Sequence, residues 1–368
     1  MKKHKVLHVA GKMDLGGVES WLLGLAQELR HSNIEMDIVV HTKAAGCLDE
    51  KFKALGVNIF PVVNHKNPVQ YVFNFYQLLK KNGPYQAVHS HVLYFSGVVL
   101  MAAWLAKIPL RISHVHSNRS SIEPKRGFRA LYIRVMKYLV KIFANRYVAV
   151  SQEAHKSLHT GIISDERLSV LYCGVKHLDK VSIDRTLKQR LGISEEKLVL
   201  GHIGRMSEPK NHGFLLDIFI ELKAKTEAVL VLIGDGELKS QVEQKIAEYG
   251  LTNDVILLGA RDDAVDVMAS IFDVIAFPSI YEGLPLTVVE AQAVGVPILV
   301  ADNITKEAEF DPNLVSYLSL QDSADQWANN LVKISSARKK TVNLTHFHRT
   351  DFYFPNHIIK LKRLYLGE

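Results

Sequence analysis

The chain has 368 residues, 48% hydrophobic and 23% charged, with a formal net charge of +7. That length exceeds one ordinary core and suits two domains of ~100–200 residues each, and the composition excludes a disordered or fibrous chain. Cys47 and Cys173 are the only cysteines; with no C-x-x-C or Cys/His cluster, a disulfide framework and a zinc module are excluded and a reducing compartment is expected.

The basic start leads into an apolar run that is short and broken by His8, too little for a signal-peptide core. Strands are predicted at Lys5–Ala10, Met36–His41, Val57–Phe60, Ala87–His89, Arg111–Val115, Tyr147–Val150 and Ser169–Tyr172, and helices at Gly17–Arg30, Pro68–Lys81, Phe95–Lys107, Gly127–Ala144 and Gln152–Thr160. The uncharged stretch 84–106 holds a proline and two histidines, and its apolar part is shorter than the ~20 residues of a bilayer span. The expectation is a cytoplasmic chain without a transmembrane helix.

Strand–helix alternation of this kind reads as βαβ units around a parallel sheet. It lapses over a polar, charged stretch at 177–196, the expected linker. It restarts with strands at Leu198–Ile203, Ala228–Ile233, Val255–Leu258, Val274–Phe277, Pro297–Val300 and Val315–Leu320, and helices at Lys210–Lys225, Glu237–Tyr249 and Pro285–Val294. The organisation expected is an α/β chain of two tandem Rossmann-like doubly wound domains facing a cleft. They span 1–176 and 197–350, with a closing helix in 351–368 that can return to the first domain. Open α/β sheets bind ligands at the carboxyl ends of their strands.

The most informative stretch is Pro278-Ser279-Ile280-Tyr281-Glu282-Gly283-Leu284-Pro285, continued by Glu290 and Ala291. A strand ends at Phe277, Pro285 suits the first turn of a helix, and Glu290 falls more than a turn inside it. Two carboxylates thus flank a helix N-terminus. The amides of Gly283 and Leu284 there suit an anionic or hydroxyl-rich ligand, and the acids accept hydrogen bonds from sugar or ribose hydroxyls. Spacing alone also allows a solvated capping residue at 282 and an ordinary helix acid at 290.

A second element, Gly204-Arg205-Met206-Ser207-Glu208-Pro209-Lys210, follows the first strand of the second domain. A guanidinium and an ammonium five residues apart at a strand-to-helix turn can clamp a diphosphate from two sides; alone, they are equally loop cations. A third element, Asp14-Leu15-Gly16-Gly17, opens the first helix and lets backbone approach a phosphate or sugar. It lacks the G-x-G-x-x-G dinucleotide spacing. Four histidines, His89, His91, His114 and His116, sit at strand ends in pairs spaced by two. Metal is discounted there because no carboxylate or cysteine accompanies them; core histidines are the alternative.

Pro278, Ser279, Glu282, Gly283, Glu290, Ala291, Gly295 and Pro297 stand at the offsets of a P-S-x-x-E-G, E-A, G-x-P signature. In this the chain resembles the retaining glycosyltransferases of sequence family 4, which have the GT-B fold. It looks closest to their bacterial capsule and exopolysaccharide branch. The resemblance implies a sugar moved from a nucleotide diphosphate donor, UDP more than GDP, to a glycan or lipid-linked acceptor, with no cofactor beyond that co-substrate. It implies Arg205 and Lys210 on the diphosphate, Glu282 with Gly283 and Leu284 on the donor sugar, and Glu290 on the ribose. His116 would stand near the anomeric carbon, Gly16 and Gly17 would face the ligand, and Gly204 and Arg261 would lie beside the nucleotide. No D-x-D triplet occurs, which argues against the metal-dependent GT-A class. A nucleotide-sugar epimerase or hydrolase, or a non-catalytic subunit of a polysaccharide assembly complex, is the alternative reading.

Between Arg119 and Arg146 stand eight lysines and arginines against the single acid Glu123. No base-stacking motif accompanies them, so nucleic acid is not an expected partner. Phe128, Leu131, Tyr132, Val135, Tyr138, Leu139, Ile142 and Phe143 recur at helical intervals among these cations. An amphipathic helix on an anionic membrane surface fits, as does a core helix with a solvated basic face.

Overall fold

Runs of Val, Ile and Leu bounded by polar turns become central parallel strands, where both faces are covered and every side chain can be apolar. The computed structural model describes residues 3–14, 16–63, 67–117, 123–158, 166–176, 178–338 and 344–367. Arg119 of the basic segment, His177 of the expected linker and Thr160 of an expected helix lie outside them. Two units make up the chain, Met1–Gly174 with Phe354–Glu368, and Val175–Tyr353.

The first unit contains strands β1 (His4–Ala10), β2 (Ile34–Val40), β3 (Asn58–Pro61), β4 (Ala87–Ser90), β5 (Leu110–Val115), β6 (Arg146–Ala149) and β7 (Leu168–Val170). They form one parallel sheet in the order β3-β2-β1-β4-β5-β6-β7. Its helices are α1 (Gly17–Leu29), α2 (Asp49–Ala54), α3 (Pro68–Asn82), α4 (Ser96–Leu105), α5 (Phe128–Phe143) and α6 (Gln152–Leu158). Leu7, Val9 and Val88 of the central strands meet Tyr71 and Phe75 of α3 and Val99 and Leu100 of α4 in the core.

The second unit contains α7 (Leu187–Arg190), β8 (Leu198–Ile203), α8 (His212–Lys223), β9 (Ala228–Ile233), α9 (Lys239–Glu248), β10 (Val255–Leu257), α10 (Ala264–Ile271), β11 (Val274–Phe277), α11 (Leu286–Ala293), β12 (Ile298–Ala301), β13 (Val315–Leu318) and α12 (Ala324–Ser335). Its parallel sheet runs β10-β9-β8-β11-β12-β13. All residues of β9, β11 and β12 are buried. Strand order therefore reverses between β1 and β4 in one sheet and between β8 and β11 in the other, the points where open α/β sheets leave room for a ligand.

The final helix, α13 (Phe354–Leu366), belongs to the first unit. Leu361 is fully buried, and Trp21 Nε1 donates to His357 Nε2 at 2.7 Å. Gly174 sits under this helix, where an added Cβ would press on His357 and Phe354.

The segment expected as a linker at 177–196 folds onto the second unit instead. Leu178, Leu187 and Ile193 are buried. The amides of Ser182 and Asp184 donate to Asp266 and Ser270 on α10, each at 2.9 Å. Its sparse apolar residues are spaced for docking rather than for a periodic element of their own, so the composition resembled a spacer. The sequence reading placed no element over α2, α7, α10 or α12. For α12 a signal existed, the capping box in which Ser323 and Gln326 bond each other's backbone amides.

Packing between β8 and α10's end is close enough to demand glycine. A Cβ at Gly201 would run into the ring of the fully buried Phe272. Gly201→Ala is expected to cost about 1–3 kcal/mol of stability through overpacking, measured as a lowered urea midpoint; an unchanged midpoint would contradict this account of the core.

Candidate active site

In the second unit the chain leaves β8 through Gly204 and Arg205 and makes a 3-10 turn at Glu208–Lys210. Asn211 then takes a left-handed conformation, φ 55°, which redirects the chain into α8. Asparagine tolerates that region better than most residues. The turn carries Lys210 beneath the end of the neighbouring strand β11: its ammonium lies 4.6 Å from the Phe277 ring and 2.8 Å from Glu282 Oε1. Both side chains are 17% exposed, so the pair is largely withdrawn from water. A side chain at Gly204 would crowd the Lys210 stem, which accounts for glycine there.

After β11 the backbone passes Pro278 and Ser279, and the Ile280 amide bonds to Pro209 O at 2.8 Å, tying the two turns together. The Ser279 hydroxyl is fully buried with no hydrogen-bond partner among the described residues. Gly283 and Leu284 are buried just ahead of α11, and Pro285 occupies its N-cap position. One turn inside, burial pushes the Glu290 carboxyl up to about 7, with Lys210 opposing the shift. Lys210, Glu282 and Glu290 thus form one electrostatic group at the β8/β11 reversal.

Two residues beneath this group were not singled out from sequence. His202 and His212 stand with ring centroids 4.9 Å apart, and His202 Nδ1 meets Ala276 O at 3.0 Å. Burial first, then His212 and Lys210, hold His202 well below the usual imidazole range; burial and Lys210 push His212 down to about 4. Both rings are neutral near pH 7, so Lys210 faces no second buried cation from them. Their signal was a histidine inside the β8 run and another at the start of α8.

Arg205 is not gathered into this group. Its guanidinium is 65% exposed and pairs with Glu237 at 3.1 Å. Around it the glycine turns interlock: Gly204 N bonds Ile233 O, Met206 N bonds Asp235 O and Gly234 N bonds Gly259 O, at 2.8–3.0 Å. The Arg261 guanidinium is held by Asp263 through two 2.7 Å bonds.

In the first unit Gly16 is the extended N-cap of α1, where an added Cβ would meet only the movable Glu19 carboxylate, and an added Cβ at Gly17 meets nothing within 4 Å. Packing demands glycine at neither position. His116 lies just past β5, its Nε2 2.8 Å from His91 Nδ1. Burial, with His357 adding to it, pushes His116 down to about 3, so it is a neutral hydrogen-bonding ring.

Around it the sheet assembles more imidazoles than the sequence pairs indicated. His8 is in register with His89 on the adjacent strand. The His8 ring is 2.9 Å from His91, and His89 is 3.0 Å from His114 and 2.7 Å from the Tyr365 hydroxyl. His89 is a core histidine in this sense, fully buried and bonded on both nitrogens.

Glu290 gives this site a pH signature. An unfolded glutamate titrates near ~4.3. With the folded carboxyl raised to about 7, the stability that goes with its protonated form is complete below the unfolded value and is lost as pH rises to the folded one. Relative to wild type, Glu290→Gln is expected to gain about 3–4 kcal/mol between roughly pH 4.5 and pH 8. Paired thermal melts check this, and a pH-independent difference would contradict it.

Residues 15–177 match the family model for Glycosyltransferase Family 4, and residues 184–349 the one for Glycosyl transferases group 1. EpsF of Bacillus subtilis (strain 168), which carries a glycosyltransferase name, is 33% identical over 350 residues, 90% of this chain and 88% of its own. The capsular polysaccharide biosynthesis glycosyltransferase CapH of Staphylococcus aureus is 25% identical over 369 residues, 99% of each chain. The UDP-Gal:alpha-D-GlcNAc-diphosphoundecaprenol alpha-1,3-galactosyltransferase of Escherichia coli is 25% identical over 394 residues, 99% of this chain and 97% of its own. Anabaena Alr3699/HepE, solved in complex with UDP-glucose, shares the fold with a TM-score of 0.81 at 20% identity, over 99% of this chain and 100% of that one. With EpsF matched along nine-tenths of its length and both halves covered by family models, the chain belongs to the family 4 glycosyltransferases of the GT-B fold.

Proposed function

We propose that this glycosyltransferase is a retaining enzyme that moves a sugar from UDP to a glycan or lipid-linked acceptor in surface polysaccharide synthesis. We assign the leaving diphosphate to fixed cations rather than to a metal. The observation that carries the reading is the Lys210–Glu282–Glu290 group at the β8/β11 reversal. A partly buried ammonium is a strong site for the charge that develops on a departing diphosphate, because little water screens it. Its partner Glu282 would exchange the ammonium for sugar hydroxyls when a donor enters. Glu290 would take the ribose hydroxyls, the backbone at Gly204, Gly283, Leu284 and Arg261 the rest of the nucleotide sugar, and exposed Arg205 would swing from Glu237 to the diphosphate. The Gly16–Gly17 turn and His116 are assigned to sugar or acceptor.

For retention, the acceptor hydroxyl would enter on the face from which the diphosphate departs, so no protein nucleophile is assigned. The UDP-glucose complex of Alr3699/HepE and the UDP-Gal donor of the Escherichia coli relative support a UDP-sugar; that relative's diphosphoundecaprenol acceptor and CapH's capsular role support the acceptor class. Lys210→Ala and Arg205→Ala are each expected to lower turnover more than ~10-fold, a loss of ~1.4 kcal/mol of transition-state stabilisation, with the fold intact by circular dichroism. Near-normal turnover would remove that residue from the mechanism.

We also propose that α5 lies on an anionic membrane surface. The helix has two apolar rows. Ala130, Ile133, Met136 and Val140 are buried, and Phe128, Leu131, Tyr132, Val135, Tyr138 and Ile142 are exposed, Phe128 to 94%. The helix approaches α4 closely: a Cβ at Gly97 would press on Met136 O and Leu139 Cβ. The acid of this region, Glu123, is already paired with Lys137 at 2.8 Å and bonded by Tyr94, while Lys125, Arg126, Arg129, Arg134 and Lys141 are exposed. Among the described residues no helix is long and apolar enough to cross a membrane, so α5 would lie in the interface plane, on the cytoplasmic side.

Each engaged cation adds ~1 kcal/mol at an anionic surface. Vesicle sedimentation is expected to show binding to anionic lipid that salt weakens, and that falls when Lys125, Arg126 and Arg129 become Gln. Equal, negligible association with neutral and anionic vesicles at low salt would overturn the proposal.

A further inference from the structure

We propose that His91, His114 and His116 form a binding site for one divalent transition ion of the zinc class, held within the first unit. Their ligating nitrogens all lie within 4.8 Å of one another, and His91 Nδ1 and His116 Nε2 are 2.8 Å apart. Nitrogens sharing a tetrahedral zinc stand ~3.3 Å apart, so closing the rings on an ion asks for shifts of about half an ångström. Three neutral imidazoles suffice for zinc and leave a fourth position to water, so the lack of a carboxylate or cysteine does not exclude the ion.

Apolar packing alone gives no reason for these rings. Val or Leu would fill the space at no desolvation cost, whereas each buried imidazole surrenders water and must find a partner. Yet five of them, from the adjacent strands β1, β4 and β5 and the residues just after β4 and β5, converge at one end of the sheet: His8, His89, His91, His114 and His116.

The two remaining rings, His8 and His89, stand where a metal site needs them. A ligating histidine is oriented when its second nitrogen donates to a fixed acceptor. His91 Nε2 is 2.9 Å from His8 Nδ1, and His114 Nδ1 is 3.0 Å from His89 Nε2, which assigns His91 Nδ1 and His114 Nε2 to the ion. His8 and His89 are themselves fixed on the Tyr365 hydroxyl, at 3.3 and 2.7 Å. His8, His89 and His91 also converge, but that triad shares His91 and its other two rings are fully buried. His91 and His116 are half-buried, which gives the outer triad the route for entry.

The site does not depend on the transferase reading, and its test uses the metal alone. Tag-free, chelator-stripped protein is titrated with Zn2+ by calorimetry and with Co2+ by visible absorption. One equivalent of each is expected, with the intense d–d bands of a four- or five-coordinate Co2+ ion. His116→Ala and, separately, His91→Gln should each weaken Zn2+ binding by at least ~10-fold, while His31→Ala, on the surface, leaves it unchanged. No saturable uptake by the folded wild type would overturn the site. So would wild-type affinity in either folded variant, which would assign the ion to other histidines.

Discussion

In a parallel sheet built from right-handed β–α–β units, helices leave the strands on opposite faces once the order reverses, and no helix covers the strand ends at that point. This chain has two such reversals, between β1 and β4 and between β8 and β11. Most of the chemically distinctive side chains stand at one or the other. The Gly16 turn follows β1, His89 lies in β4 and His91 just past it; Gly204 and Lys210 follow β8, and Ser279 and Glu282 follow β11. The apolar interior strands exist to build these ends, since a parallel sheet holds its register only when both faces are packed.

At the second reversal the charges balance at short range. A partly buried Lys210 is tolerable because Glu282 sits 2.8 Å away, and Glu290 is tolerable because burial raises its carboxyl towards neutrality while Lys210 resists. Neutral His202 and His212 complete the surroundings. A partly buried ion pair of this kind contributes little net stability, because desolvation offsets attraction. Its physical consequence is a preorganised charge, with two carboxylates ready to accept hydroxyls and one ammonium ready to meet an anion.

The first unit handles polarity differently. Hydrogen bonds join its five clustered histidines to one another and to Tyr365, and Trp21, His357 and Tyr365 close around them from α1 and α13. The same unit turns its large apolar residues outward on α5. Helices α4 and α5 approach closely at Gly97, where a side chain would press on Met136 and Leu139, and α13 completes the histidine layer from the far end of the chain.

The sequence by itself determined the α/β alternation, the strand ends and the signature from Pro278 to Pro297, because each is a local pattern of period, glycine or proline placement. It named Lys210, Glu282 and Glu290 individually, since their turn and helix contexts are written nearby. Only the tertiary structure decided that Lys210 pairs with Glu282 while Arg205 turns to Glu237, that the stretch after residue 177 docks on α10, and that His8 joins His91 across the sheet. It also chose which of two apolar rows on α5 faces the core. Periodicity marks both rows alike, and the choice rests on which row meets α4, an element the local pattern of α5 does not specify.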